Sequence, residues 1–524
     1  MTPKPLPRRQ PALGVLESLA IAALGAVQTL AFVQPWAWGL PILGAAVLVW
    51  RLDRSSGARH AAWLGWCYGT AWLLAGVWWL FISMHRYGHL QAWLAALAVF
   101  VLAALLSLYL ALAAALDRRW RRGGWPDLPL FAACWLLAEL ARGLIFTGFP
   151  WVASGYSQVD APLASLAPWV GVYGIGAVLA LLAAALAQAL SARGRARWAA
   201  PAMALLVLGV AATTGPGEFT QPGRELSVDL LQPDVAQDEK FALERMSGTL
   251  QWVASRLLAS RADLVVAPET AVPLLPDQLD SFAPGYWAGL VQRFSTGRQA
   301  ALVGVPLGDF DSGYTNSVVG LSAAARAPGG SYRYDKHHLV PFGEFIPQGF
   351  RWFTELMQIP LGDFRRGVPV PASFDVQGER AAPNICYEDL FGEELAQRFA
   401  DPARSPTLFV NLSNIGWFGD TIAIGQHLAI SRMRALEFQR PMLRATNTGA
   451  TAVIDHRGRV LAQLPPVTPG VLAGRVQGRH GLTPFARWAS QFGLWPLIGL
   501  ALAVCAAIAI TPRPVKSRVF AARP

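Results

Sequence analysis

The apolar positions of this chain follow two regimes. Over residues 1–213, and again near the carboxyl end, they run on for the length of a helix, while between these regions they come in bursts of four to seven. A helix that crosses a bilayer needs about 20 mainly apolar residues. Runs of that kind lie at Gly14–Gln34, Trp36–Leu52, Ala61–Met84, Leu90–Leu116, Leu130–Phe146, Leu166–Leu190, Trp198–Thr213 and Phe492–Ile510, which predicts eight transmembrane helices. The second, fifth and seventh are short, and the fifth carries Glu139 and Arg142 about one helical turn apart. Further spans follow the first run at once, so it reads as a retained helix rather than a cleaved signal peptide.

The middle of the chain is patterned differently. Short β-type runs at Leu226–Gln232, Leu264–Pro268, Ala301–Val305, Ser317–Leu321, Thr407–Val410, Thr451–Ile454 and Val460–Leu464 end in polar residues or turns. Helical stretches at Asp238–Ser260 and Gly425–Gln439 separate several of them, and Asp455, His456, Arg457 and Gly458 form a hairpin turn. The expectation is a layered α/β domain. Residues 1–213 then form a membrane domain of seven helices, 214–489 the α/β domain, and 490–524 an eighth helix with a tail.

Composition agrees, since 53% of residues are hydrophobic, 15% are charged and the mean hydropathy is +0.35. A net charge of +11 would suit nucleic acid if the basic residues lined one face, but they cluster between apolar runs, so no nucleic-acid partner is expected. Basic residues gather on the cytoplasmic side of membrane proteins. The clusters at Lys4 to Arg9, Arg51 to Arg59, Arg118 to Arg122, Arg193 to Arg197 and Arg513 to Arg523 fall on one side of an eight-span path, with Arg86 the one exception. Both termini are therefore expected in the cytoplasm and the α/β domain on the outer face.

Of the four cysteines, Cys67, Cys134 and Cys505 sit in apolar runs, where a thiol acts as a small packing residue, and only Cys386 lies in the polar part. No disulfide framework, metal pattern or dissociable cofactor follows. Three reactive side chains stand beside β-type runs: Glu269 after Leu264 to Pro268, Lys336 in Tyr334-Asp335-Lys336 ahead of Leu339 to Glu344, and Cys386 after Pro383-Asn384-Ile385. Groups at strand ends can converge on one cleft. A thiol near a base and a cation suits acyl transfer: Glu269 could take the proton, Cys386 attack, and Lys336 hold the oxyanion. The plainer alternatives are a turn carboxylate, a surface ion pair and a core cysteine.

The wording around these residues goes further. Ala267-Pro268-Glu269-Thr270, Tyr334 through Glu344, Asn384-Ile385-Cys386-Tyr387-Glu388, and Asn411 to Asn414 with Trp417-Phe418-Gly419 occur in the order of the nitrilase superfamily. With the spans around them, and with Thr147 to Trp151 and Arg440 to Gly449 also matching, the chain resembles the apolipoprotein N-acyltransferase family. That resemblance implies an αββα sandwich with Glu269 as general base, Lys336 as oxyanion stabiliser and Cys386 as nucleophile. Glu344 would stand beside them, and Tyr387 and Glu388 would shape the surroundings of the thiol. Ile415-Gly416 before Trp417 departs from the commoner pattern, in which Asp follows the asparagine, and weakens any specific role for Asn414.

The implied reaction takes an acyl chain from a membrane phospholipid, typically phosphatidylethanolamine, and places it through a thioester on the α-amine of a diacylglyceryl lipoprotein cysteine, at the outer face of a bacterial inner membrane. The aromatic stretch Phe345 to Phe364, with Trp352, Phe353 and Met357, is expected to line the path of the acyl chain; the alternative is an ordinary amphipathic helix. A membrane-tethered amidase with the same three residues, or a transporter or receptor with a degenerate outer domain, are the competing readings.

Overall fold

The computed structural model describes residues 11–191, 196–323, 332–347 and 364–511. Among these, five apolar helical stretches are long enough to cross a membrane: Gly14–Phe32, Pro35–Asp53, Ala92–Trp120, Asp127–Thr147 and Pro162–Ser191. Two bent pairs, Ala58–Val77 with Leu80–Tyr87 at 62° and Pro484–Phe492 with Trp495–Ile510 at 87°, raise the number to seven if each is one span. The eight expected spans are thus not all matched. The third breaks before Leu80 and ends in a π-helical turn, Ser83–Tyr87. The seventh lies in the helix Ala196–Thr214, which has Pro201 inside it and includes the shorter apolar stretch Ala204–Thr213. Leu16, Leu19, Leu105, Leu112, Leu500 and Ile510 point outward from these helices. A stripe of exposed leucine on helix after helix suits lipid rather than water.

The basic connections meet at one end of this bundle. Arg118 donates to the Ser55 carbonyl at 3.2 Å, Arg54 to Ser191 Oγ at 3.1 Å, and Arg122 to the Ala509 carbonyl at 3.0 Å. The α/β domain contacts the other end, where Gly76, Gly148, Trp151 and Val172 are bonded to its residues.

That domain is built on two six-stranded sheets. One has the order β12-β1-β2-β3-β4-β5, from β1 (Thr220–Gln232), β2 (Leu264–Ala267), β3 (Ala300–Asp309), β4 (Gly313–Leu321), β5 (Tyr332–Asp335) and β12 (Gly470–Gly481). The other has the order β11-β10-β9-β8-β7-β6, from β6 (Phe374–Val376), β7 (Glu379–Ile385), β8 (Leu408–Ser413), β9 (Met442–Thr446), β10 (Ala452–Ile454) and β11 (Val460–Gln463). Side chains alternate across each strand, so both faces can be buried. Leu264, Val266, Leu302, Leu408, Val410 and Leu412 pack between the sheets. Val265, Ala267 and Val303 turn the other way onto helices Leu243–Ala259 and Tyr286–Phe294, while Phe409 meets helices Ile422–Phe438 and Pro484–Phe492. The result is four layers, helix on sheet on sheet on helix. β1, β2 and β3 run parallel, as do β7, β8 and β9, so each sheet gathers its strand ends on one edge.

Candidate active site

Each of the three candidate residues follows a strand. Glu269 stands one residue beyond β2, Lys336 directly after β5 and Cys386 directly after β7. A glycine lets the first be placed: a Cβ on Gly304 of β3 would come within 2.2 Å of the Pro268 carbonyl and 2.8 Å of Glu269 Cα. Cys386 takes φ 51°, a conformation uncommon outside glycine, and so opens a tight turn at the strand end.

The carboxylate of Glu269 is buried and fully engaged. It accepts from Asn316 Nδ2 at 2.8 Å and from the backbone N–H of Asn414 at 2.7 Å, and lies 3.6 Å from Lys336 Nζ. Lys336 is 1% exposed, and its ammonium donates to Glu344 at 2.9 Å. Glu344 also accepts from Asn316 Nδ2 and from the Val340 N–H, both at 2.8 Å. Burial alone would drive the proton off Lys336, but Glu344 and Glu269 outweigh it and hold the lysine above its ordinary range. Cys386 keeps part of its surface open. Burial and then the charge of Glu269 push its thiol up to about 12, against the pull of Lys336 and of the nearby Ser413 side chain. The resting thiol is therefore held in its protonated form at neutral pH.

The supporting residues divide by position. Glu388 ties two strand ends together, accepting from the N–H groups of Ile385 at 2.6 Å, His337 at 2.7 Å and His338 at 3.2 Å, and from the Tyr334 hydroxyl. Tyr387 donates to the Gly148 carbonyl at 3.1 Å, linking the turn of Cys386 to the membrane bundle. There Arg142 donates to the Phe149 carbonyl at 3.1 Å and Glu139 accepts from Ser154, so that pair secures the loop through Trp151. Asn414 reaches Glu269 through its backbone, while Ile415 beside it is buried. Trp417 is 41% exposed, meets the ring of Tyr87 edge-on, and touches none of the three candidates by a hydrogen bond among the described residues. Trp352, Phe353 and Met357 lie outside the described residues.

Two neighbours carry no signal in the sequence. Asn316 of β4 bridges Glu269 and Glu344, yet reads locally as one polar residue in a strand. Lys240 is buried, donates to the Glu269 carbonyl at 3.1 Å, and is driven down to about 8 by burial. Among the described residues no group of three or more His, Cys, Asp or Glu could hold a metal.

Two stacked sheets flanked by helices, on an apolar helical bundle, with a carboxylate, a lysine and a cysteine at adjoining strand ends, define a nitrilase-like domain joined to a multi-pass membrane part. Residues 24–185 match the family described as Apolipoprotein N-acyltransferase N-terminal domain, and residues 229–484 match that described as Carbon-nitrogen hydrolase. An apolipoprotein N-acyltransferase of Verminephrobacter eiseniae is 54% identical over 90% of this chain and 92% of its own. One from Ralstonia nicotianae is 47% identical over 89% and 88%. Among solved structures, a carbon-nitrogen hydrolase from Helicobacter pylori aligns with a TM-score of 0.35 at 16% identity, covering 52% of this chain and 94% of that one. The chain belongs to the apolipoprotein N-acyltransferase family.

Proposed function

We propose that this enzyme moves an acyl chain from a membrane phospholipid, with phosphatidylethanolamine as the donor, to the α-amine of the diacylglyceryl cysteine of a bacterial lipoprotein. Residues 1–213 and 490–524 hold it in the inner membrane by eight crossings, and 214–489 form the catalytic domain on the periplasmic side with both termini in the cytoplasm. In support, the basic turns at Arg54, Arg118 and Arg122 share one end of the bundle and the α/β domain joins the other.

The observation that carries the chemistry is the Glu269–Lys336 contact at 3.6 Å, with Cys386 in the field of both. In the first half-reaction Glu269 takes the thiol proton as sulfur attacks the ester carbonyl, and the oxyanion meets the Lys336 ammonium. The carbon–oxygen bond breaks, the lysophospholipid alkoxide receives the proton from Glu269, and a thioester remains. In the second, the acceptor ammonium gives one proton to water and its amine attacks the thioester. The carbon–sulfur bond breaks, and the second amine proton passes through Glu269 to the sulfur, leaving an amide. Glu344 keeps Lys336 charged throughout, and Glu388 and Tyr387 hold the turn. The backbone of Asn414 orients Glu269. We assign the acyl path to Trp352, Phe353 and Met357 from the sequence pattern, and Trp417 to the rim facing the membrane.

Both substrates are lipid-anchored, and each buried CH₂ holds them in the bilayer by about 0.8 kcal/mol, so a site carried on membrane helices meets them where they are. Hydrolysis of a small amide is not favoured, since relatives at 41–54% identity are named as acyltransferases. The test is a chase of isolated acyl-enzyme with a diacylglyceryl lipopeptide bearing a free amino terminus. Transfer yields the triacylated peptide; release of free fatty acid alone would refute the proposal.

A further inference from the structure

Beneath Cys386 lies a polar cluster that the reaction as written does not use. Asp389, His427, Ser431 and Arg444 have essentially no exposed surface and come from three elements: the turn Cys386–Leu390, the helix Ile422–Phe438 and β9. Arg444 Nη2 stands 3.1 Å from His427 Nδ1. A guanidinium can only donate, so Nδ1 accepts and the ring proton sits on Nε2. Nε2 lies 3.0 Å from Asp389 Oδ1 and 3.2 Å from the carbonyl oxygen of Cys386. The other oxygen of Asp389 accepts from Ser431 Oγ and, at 3.3 Å, from Arg444 Nη1. Asn411 Nδ2 is a second donor to the Cys386 carbonyl, at 3.2 Å.

Two facts give this cluster a purpose. The backbone of Cys386 is left-handed, and a non-glycine residue stays in that region only where its surroundings over-determine it. A donor on its carbonyl fixes the following peptide plane and with it the direction of the side chain. The cluster is also clamped from the membrane part: the Trp151 ring stacks on His427 at 5.5 Å and 28°, and its indole N–H donates to Gln426 at 2.8 Å. Gln426 in turn receives Trp79 at 3.0 Å and donates to the Gly76 carbonyl at 2.9 Å.

We infer that His427, held as its Nε2–H tautomer by Arg444 and Asp389 and covered by Trp151, is a positioning residue that fixes the strained turn of Cys386 so that the thiol stays beside Glu269 and Lys336. This rests on Cys386 being the nucleophile. The membrane bundle thereby sets the aim of the thiol through two neighbouring side chains, Gln426 and His427.

The experiment measures acyl-enzyme formation by the full chain in phosphatidylethanolamine nanodiscs across donor concentrations. His427→Leu, which keeps bulk and loses the donor, slows the rate at saturating donor by roughly tenfold to a hundredfold without changing the half-saturating concentration. His427→Gln, whose amide N–H can occupy the place of Nε2, restores most of that rate. His427→Asn, whose amide falls at the place of Nδ1, stays slow and decides the matter if the leucine variant does not fold. Wild-type rates in His427→Leu or His427→Asn, or a glutamine variant no faster than the asparagine one, would overturn the inference. Persistent acyl-enzyme in Cys386→Ala would instead overturn the nucleophile assignment, and this inference with it.

Discussion

Lys336 keeps its charge almost without water because Glu344 and Glu269 flank it and Asn316 ties those two carboxylates together. On the proposed mechanism a cation so held does not reorganise when charge develops on the substrate carbonyl oxygen. Lys336→Met is expected to lower the rate of acyl-enzyme formation by roughly a hundredfold to a thousandfold, measured by rapid-quench mass spectrometry. Lys240 makes the opposite case, since burial lowers it to about 8. The folded chain then binds this proton more weakly than the unfolded chain, whose lysine titrates near ~10.4, so its charge costs stability below about 8 and the cost fades as pH rises towards ~10.4. The melting temperature of Lys240→Met should exceed that of wild type most at pH 7, and the gap should close towards pH 10. Glu269 and Cys386 could be picked out as candidates in the sequence because each follows an apolar run, and Lys336 because it stands just ahead of one, Leu339 to Phe342. Lys240, Asn316 and His427 were not, because their partners are 17 or more residues away and leave no local pattern.

At the scale of elements, the close approach of β3 to the strand end of Glu269 is the most exposed point of the design. Gly304→Ala should displace Glu269 as well as strain β3, costing about 1–3 kcal/mol of stability together with a clear loss of turnover, measured by thermal unfolding and acyl transfer on the same sample. Seven strands could be read from β-type runs, whereas β5, β6, β7, β9 and β12 could not. β7 contains Pro383 together with Glu379 and Arg380, and β12 is rich in glycine and arginine. Their place comes from pairing with a partner strand rather than from their own pattern. The membrane spans show the same limit: hydropathy located the third and eighth but not their bends of 62° and 87°, which fall at Trp78-Trp79 and at Gly493, with φ 55°. In the sequence Glu139 and Arg142 stand out as two charges one helical turn apart inside an apolar run, and in the structure they pair and bond the loop through Trp151.

The whole molecule places a hydrolase-type α/β sandwich at one end of a helical bundle and the basic turns at the other. In spheroplasts, an impermeant maleimide should label Asp311→Cys in the α/β domain and spare Ser56→Cys between the second and third spans; the reverse pattern would invert the topology. Charge clustering made the two ends of the bundle distinguishable in the sequence, because the basic connections at Arg54, Arg118 and Arg122 meet at one of them. It could not reveal that Trp79, Trp151 and Gly148 bond directly to the helix and turn around Cys386, which is the means by which the bundle enters the site. On the proposed mechanism Cys386 carries a phospholipid-derived acyl chain. Intact-mass measurement of the protein after incubation with phosphatidylethanolamine tests it most directly: wild type should gain the mass of one acyl chain, lost on hydroxylamine treatment, and Cys386→Ala should gain nothing. The same adduct in Cys386→Ala, or active wild-type protein that never carries it, would contradict the account.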